Sequence, residues 1–88
     1  MLTEEQIAAA LAELPGWQQD ASRLRRIREF EDFAGAMRFA NRVADLAHAH
    51  DHHPEIHIGY RTVTLTLWSH DAGGVTERDL EFARAVES

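Results

Sequence analysis

Apolar residues at helical spacing near the start of the chain predict a first helix. Thr3 and Gln6 have the spacing of a capping box, in which both side chains bond free backbone N–H groups at a helix start. Apolar residues then recur at Ile7, Ala10, Leu11 and Leu14. The pair Pro15 and Gly16 is a stop signal, so the helix is predicted to end there.

A wide apolar arc in the middle of the chain predicts a long second helix. Asp32 is suited to cap its start. The apolar residues that follow are Phe33, Met37, Ala40, Ala44 and Ala47, with Phe39, Val43 and Leu46 beside them. Because this arc is wide for a surface helix, we expect the helix to cover one sheet face and to offer a subunit contact. Pro54 disfavours the α conformation at His53, so the helix is predicted to end within the histidine cluster.

The segment between these two helices predicts two strands. A short extended piece begins at Trp17, and a turn is expected near residues 20–22. The segment RLRRIREFE, residues 23–31, comes next. We interpret it as an outer strand whose arginine stems cover apolar surface.

Strict alternation of apolar and polar residues after Pro54 predicts a hairpin. The apolar positions are Ile56, Ile58 and Tyr60 in the first strand, and Val63, Leu65 and Leu67 in the second. A tight connection near Arg61 joins these two half-buried strands. Tyr60 is expected to be a packing residue.

A loop and a last helix complete the pattern. The loop DAGG, residues 71–74, ends in two glycines that can take positive φ. Thr76 and Asp79 have the spacing of a helix cap, and an apolar face follows at Leu80, Ala83 and Val86. The order α-β-β-α-β-β-α predicts an α+β fold, in which three helices pack on one face of a four-stranded antiparallel sheet. We expect residues 1–88 to form a single domain.

Composition and charge exclude several classes of protein. The chain has 88 residues, of which 44% are hydrophobic and 27% charged, as in small globular domains. Its net charge of −6 repels phosphate backbones and anionic lipids, so we expect neither direct nucleic-acid binding nor membrane binding. The absence of cysteine excludes disulfides and thiolate metal sites. Together with an acidic, amphipathic N-terminal segment, it indicates a cytoplasmic protein.

Candidate chemistry is concentrated between His48 and His57, a segment that holds most of the 6 histidines. Three interpretations of this cluster are open. A metal site would use His48 and His52, which share a helix face at spacing i, i+4, with only Asp71 and Glu55 as candidates for a third ligand. Alternatively, the histidines only complement the negative C-terminal end of a helix.

The third interpretation is acid–base catalysis. Histidine has an unperturbed pKa of ~6.5 and can give or take protons near neutral pH. Elimination of water needs two such groups, one to protonate the leaving hydroxyl and one to remove the proton whose loss forms the double bond. His70 is the natural partner for the cluster, because it is expected at the end of the second hairpin strand, on the face opposite Val63, Leu65 and Leu67. Spacing alone does not decide among the three interpretations.

The histidine pair belongs to a larger set of motifs that matches a known family. The set comprises His52, His53 and Pro54, then Tyr60, His70, and the helix start Gly74, Val75, Thr76 and Asp79. Gly16 with Trp17, and the segment FEDFAGAMRFANRVA from Phe30, extend the match over nearly the whole chain. These motifs closely resemble the pterin-4a-carbinolamine dehydratases.

The resemblance implies an activity and roles for five of the motif residues. It implies removal of water from a 4a-hydroxytetrahydropterin such as 4a-hydroxytetrahydrobiopterin, which recycles the pterin used by an aromatic amino acid hydroxylase and needs no metal or other cofactor. By position, His52 and His70 resemble the acid–base histidines, and His53 resembles a residue that binds or positions the pterin. Asp79 and Trp17 correspond to supporting residues. The resemblance also implies a homodimer or homotetramer, with sheets joined across subunits.

Two positions depart from the family pattern. His48 stands where many relatives have a glutamate, and it is the candidate to orient His52 in place of that carboxylate. Trp68 stands where a small polar residue is usual, and we expect it in a subunit interface rather than in the pocket wall. On sequence alone, Asp79 could equally be only a helix cap, and Trp17 is most simply a core residue.

Other functions are compatible with the same pattern. The fold could serve as a protein-binding co-activator or assembly factor, or the substrate could be a molybdopterin-related pterin. The presence of His52, His53 and His70 together, with Pro54 fixing the exit of the chain around the pair, favours the dehydratase.

Overall fold

Helices and strands follow one another in the predicted order. A computed structural model describes residues 1–88. Its elements are α1 (Glu4–Leu11), β1 (Trp17–Asp20), β2 (Arg23–Glu29), α2 (Phe33–His50), β3 (Glu55–Gly59), β4 (Thr62–Leu67) and α3 (Glu77–Glu87). The structure therefore confirms the α-β-β-α-β-β-α order and the α+β class.

The four strands form one antiparallel sheet in the order β1-β2-β4-β3. Leu67 of β4 pairs with Leu24 of β2, and Leu65 of β4 pairs with Ile56 of β3. Tight turns at residues 21–22 and 60–61 close the two hairpins. Both turns lie where the sequence predicts them, and the pairing of β2 with β4 joins the hairpins into one sheet.

Strand β2 lies inside the sheet, between β1 and β4. The prediction that this arginine-rich segment forms an outer strand was therefore wrong. Long aliphatic stems allow arginines on an interior strand, because each guanidinium group can extend beyond the packed layer. Arg28 places its guanidinium over aromatic rings, since its Cζ lies 5.0 Å from the centroid of the Phe39 ring and 5.6 Å from that of Phe30. Arg28 therefore covers apolar rings with its guanidinium, and the covering of apolar surface by the arginine stems stays a prediction.

The core lies between one face of the sheet and the three helices. Val63, Leu65 and Leu67 point into it and are fully buried, whereas the threonines that alternate with them on β4 lie on the opposite face. The other large side chains with the least exposure are Leu24, Val43, Val75, Phe82 and Val86. The helices thus pack on one face of the sheet, as predicted.

Helix α1 is shorter than the sequence predicts. It ends at Leu11, and the next backbone bonds, from Glu13 N to Ala10 O and from Leu14 N to Leu11 O, span only three residues. The tighter winding is expected because Pro15 disfavours the α conformation at the residue before it. Leu14 remains buried, so its apolar character contributes to the core without being part of the helix.

The turn after α1 depends on the absence of a side chain at Gly16. Its φ is +89°, and a Cβ there would lie 2.3 Å from Arg26 Nη1. Gly16→Ala is expected to lower the free energy of unfolding by about 1–2 kcal/mol, because alanine is strained at positive φ and displaces the guanidinium. Urea denaturation measures this change. Gly59→Ala is the control, since a Cβ there has no heavy atom within 4 Å; equal losses in the two variants would contradict the prediction.

Helix α2 has the predicted cap and end, and one side of its predicted apolar arc is buried. Asp32 Oδ1 accepts a hydrogen bond from Gly35 N at 2.8 Å, and the helix ends at His50. Its buried residues are Ala36, Phe39, Ala40, Val43 and Ala47. Phe33, at the start of the same arc, is 51% exposed. The periodicity of a wide apolar arc does not decide which stripe meets the sheet, and here the stripe rich in alanine allows close packing.

Tyr60 lies in the turn of the second hairpin and not in a strand. Its φ is +51° and it is 73% exposed. The prediction of a packing residue was wrong because β3 ends at Gly59, so the alternation that begins at Ile56 stops one residue earlier than the sequence pattern indicates.

Candidate active site

His52 is positioned by the end of α2. Asp51 takes the left-handed conformation that ends the helix, with φ of 49°, and His52 N donates to Ala47 O at 3.1 Å. This bond ties the backbone of His52 to the last turn of the helix. Because the helix ends at His50, His48 and His52 do not share a helix face, and the geometry assumed for a metal pair is absent. No group of three or more His, Cys, Asp or Glu side chains could hold a metal ion.

The side chain of His52 is held by a buried carboxylate. Its Nε2 lies 2.5 Å from Asp79 Oδ1, and Asp79 is 0% exposed. The other oxygen, Asp79 Oδ2, accepts hydrogen bonds from Ser69 Oγ and from Thr76 N, both at 2.9 Å. Asp79 therefore caps α3 with one oxygen and contacts His52 with the other.

This arrangement fixes which nitrogen of His52 is free. A carboxylate accepts hydrogen bonds and does not donate, so the proton in the short contact belongs to His52 Nε2. No hydrogen bond uses Nδ1, and the chain has no buried side-chain nitrogen or oxygen without a partner, so Nδ1 reaches the surface. His52 thus offers one nitrogen to a ligand while Asp79 holds the other.

His70 lies three residues beyond the end of β4, in a turn rather than at the end of the strand as predicted. Gly73 N donates to Ser69 O at 2.9 Å, and Ser69 N donates to Gly74 O at 2.9 Å, so the loop closes on itself. Gly73 takes positive φ (72°) in this loop. Ser69 points inward to Asp79, while His70 is exposed and its ring centroid lies 4.3 Å from that of Trp68.

An open cavity of about 340 Å³ brings the predicted histidines together. Its lining consists of Asp51, His52, His53, Trp68, Ser69, His70, Asp71 and Arg78. Trp68 therefore lies in the cavity wall, a position that was not expected from the sequence. At the rim, Arg78 Nη2 donates to Asp71 Oδ1 at 2.5 Å. This hydrogen bond, with the charge of the guanidinium, lowers the pKa of Asp71. Asp71 is therefore ionised near neutral pH, and proton donation into the cavity falls to the histidines.

His53 and His48 contact each other at the edge of the cavity. Their ring centroids lie 5.8 Å apart with an interplanar angle of 88°. His48 therefore touches His53, whereas the carboxylate that orients His52 is Asp79. Pro54 directly follows His53 in the chain and leads into β3.

Trp17 lies outside the cavity. It is 4% exposed, and its Nε1 donates to Glu87 Oε2 at 3.1 Å near the end of α3. The structure thus places Trp17 in the core and does not bring it to the histidines.

Sequence reasoning missed Ser69 and Arg78. The inward direction of Ser69 could have been found, because it continues the alternation of Val63, Leu65 and Leu67 by one more step. Arg78 gave no signal, since an arginine in the first turn of a helix is an ordinary surface residue.

Comparison with known proteins agrees with the motifs. The family model for pterin 4 alpha carbinolamine dehydratase matches residues 1–88. The chain belongs to the pterin 4 alpha carbinolamine dehydratase family. It is 46% identical, over 99% of its length and 95% of the relative's, to a protein of Acidobacterium capsulatum. A protein of Koribacter versatilis is 50% identical, over 93% of this chain and 87% of its own. Both are named as candidate pterin-4-alpha-carbinolamine dehydratases.

Solved structures of the dehydratase family have the same fold. A transcriptional coactivator/pterin dehydratase from Brucella melitensis superposes with a TM-score of 0.93 at 39% identity, covering 98% of this chain and 94% of that one. A pterin dehydratase-like protein, described as a RuBisCO assembly factor of the alpha-carboxysome, superposes with a TM-score of 0.65 at 26% identity. The match covers 81% of this chain and 82% of that one. None of the helices here is long and apolar enough to cross a bilayer.

Proposed function

We propose that the protein dehydrates a 4a-hydroxytetrahydropterin to the quinonoid dihydropterin by histidine acid–base catalysis. The observation that carries the proposal is the convergence of His52, His53 and His70 on one cavity, with His52 held by the buried Asp79. Membership of a family named for this substrate supports it.

Loss of water needs a proton on the departing hydroxyl. In the proposed mechanism, His70 is the acid, because it lies exposed in a loop at the cavity and can exchange protons with solvent between turnovers. Its imidazolium gives a proton to the C4a hydroxyl as the C4a–O bond breaks, so the oxygen leaves as water and not as hydroxide. A positioned proton donor of this kind raises rates by about 10²–10⁴.

The second proton leaves from N5 of the pterin as the N5–C4a double bond forms. His52 is the proposed base, since Nδ1 is its free nitrogen and Asp79 stabilises the imidazolium that results. His52 gains one proton and His70 loses one, so the net charge of the protein does not change, and proton exchange with water then restores both histidines. His53, at the cavity edge, positions the pterin.

The wider context of the reaction is also part of the proposal. The carbinolamine is supplied by an aromatic amino acid hydroxylase, and dehydration returns the pterin for reduction. The reaction takes place in the cytoplasm, in a homodimer or homotetramer. The proposed oligomer accounts for Phe33, a large apolar side chain of α2 that is 51% exposed here.

The proposal is tested with the purified chain and a freshly generated 4a-hydroxytetrahydropterin. We expect the quinonoid product, followed by its absorbance, to form faster than with imidazole at the same histidine concentration. Prior dialysis against EDTA is expected to leave this rate unchanged, because the proposed proton transfers use only side chains. A rate equal to that of the imidazole solution would show that the protein is not this dehydratase.

A role in protein assembly or co-activation is a second candidate, favoured by the names of the two structural relatives. If it is the main function, a variant lacking His52, His53 and His70 should still recover a stoichiometric partner in a pull-down. A molybdopterin-related substrate is a third candidate, and a screen of reduced pterins separates it from the first.

A further inference from the structure

The ring of His70 has one neighbour that can hold it in place. The imidazole makes no hydrogen bond within the chain, and its one aromatic contact is Trp68, with ring centroids 4.3 Å apart and planes at 39°. A histidine on an exposed loop would otherwise sample several rotamers. The contact with Trp68 restricts this freedom.

Trp68 is itself held from the neighbouring strand. Arg23, at the start of β2, places its guanidinium carbon 3.9 Å from the centroid of the Trp68 ring. The same arginine reaches across β4 toward Glu55 of β3, with Nη1 and Oε1 4.0 Å apart. A guanidinium over a tryptophan face is a favourable cation–π arrangement. Arg23 of β2 thus contacts both Trp68, which directly follows β4, and Glu55 of β3.

We propose that Trp68, held by Arg23, is a positioning residue for His70. The proposal rests on the function proposed above for His70 as the acid of the reaction. The guanidinium of Arg23 and the ring of His70 both lie against the indole. Trp68 also lines the cavity, and in this proposal it acts through His70 rather than as a surface on which the pterin stacks.

The role predicts an effect on kcat rather than on KM. An aromatic pair of this kind favours the stacked position by about two- to tenfold, and misplacement of a catalytic group lowers the rate further. Trp68→Ser is expected to lower kcat about tenfold and to change KM by less than about threefold. Trp68→Phe keeps an aromatic ring and is expected to restore kcat to within about threefold of the parent.

Proton NMR of the histidine ring tests the stack independently of activity. In the parent, the indole ring current should move the C–H signals of His70 upfield from those of an exposed histidine, and Trp68→Ser should remove this shift. The His70→Ala variant assigns the signals. Tyr60→Ser is the matched control, because it removes an exposed aromatic side chain at the opposite end of the same hairpin and should leave kcat and the His70 signals unchanged.

Different results separate this inference from the proposed function. If the parent has no dehydratase activity, the proposed function fails, and the NMR shift alone decides whether the stack orders His70. If the parent is active and Trp68→Ser keeps kcat within about twofold, or raises only KM, the positioning role is wrong. If Trp68→Ser does not fold, Arg23→Gln serves instead, since it keeps both rings, and an unchanged kcat and His70 shift in that variant would overturn the role.

Discussion

The double variant His52→Ala/His70→Ala is expected to lose at least about a thousandfold in kcat/KM for dehydration. Each histidine supplies a proton transfer whose removal costs about 10²–10⁴ in rate. The losses should not multiply fully, because the two groups act in one step, and a variant lacking one already lacks most of the catalysis. Stopped-flow absorbance on the parent, both single variants and the double variant measures this non-additivity.

The matched control removes two histidines that lie outside the cavity. His50 contacts Phe82, with ring centroids 5.7 Å apart, and His57 lies on the face of the sheet that carries no helix. His50→Ala/His57→Ala is expected to keep kcat/KM within about threefold of the parent. If the His52→Ala/His70→Ala variant is as fast as the parent, neither residue is the acid or the base.

Asp79→Asn is expected to lower kcat by about 10²–10⁴-fold while the fold is retained. The amide is nearly isosteric with the carboxylate but neutral, and its NH₂ group can face His52 and impose the wrong tautomer. The imidazolium formed when His52 takes a proton then loses its counter-charge. Some loss of stability, about 1–3 kcal/mol, is also expected because the buried oxygens serve Ser69 and Thr76.

Asp32→Asn makes the same chemical change at the start of another helix. Asp32 Oδ1 caps α2 by accepting from Gly35 N, and it lies outside the cavity lining. We expect this variant to lose less than about 1 kcal/mol and to keep the parent kcat. Circular dichroism and thermal unfolding of both variants separate a folding defect from a catalytic one. A kcat for Asp79→Asn within about twofold of the parent would remove Asp79 from the mechanism.

The fold could be predicted from the sequence because its local signals agree with one another. The capping residues Thr3 and Asp32 and the alternation in β4 each predicted an element that the structure confirms. The interior position of β2 could not be predicted, because the neighbours of a strand depend on pairings with distant residues. In addition, a strand rich in arginine has the composition typical of an edge strand. Tyr60 was placed wrongly for a related reason, since the pattern did not show where the strand stops and the turn begins.

The histidines of the candidate site could be predicted from the sequence, but the contacts that hold them could not. His52 and His70 were identified from a motif, yet the contact of His52 with Asp79 joins residues 27 positions apart and depends on how α3 packs beside the end of α2. The sequence left Asp79 as either a cap or a catalytic support, and the structure gives it contacts of both kinds because a carboxylate has two oxygens. The surroundings of Trp17 and His48 likewise depend on packing.

The shared use of Asp79 couples the first turn of α3 to the proposed active site. When that turn frays, Thr76 and His52 lose their contacts with the same carboxylate at once, even if the sheet remains intact. Local openings of this kind need less free energy than global unfolding. Activity should therefore decline on warming before the sheet melts, and hydrogen exchange at the Thr76 amide should follow that decline. A substitution that loosens the last helix is therefore expected to lower turnover as well as stability.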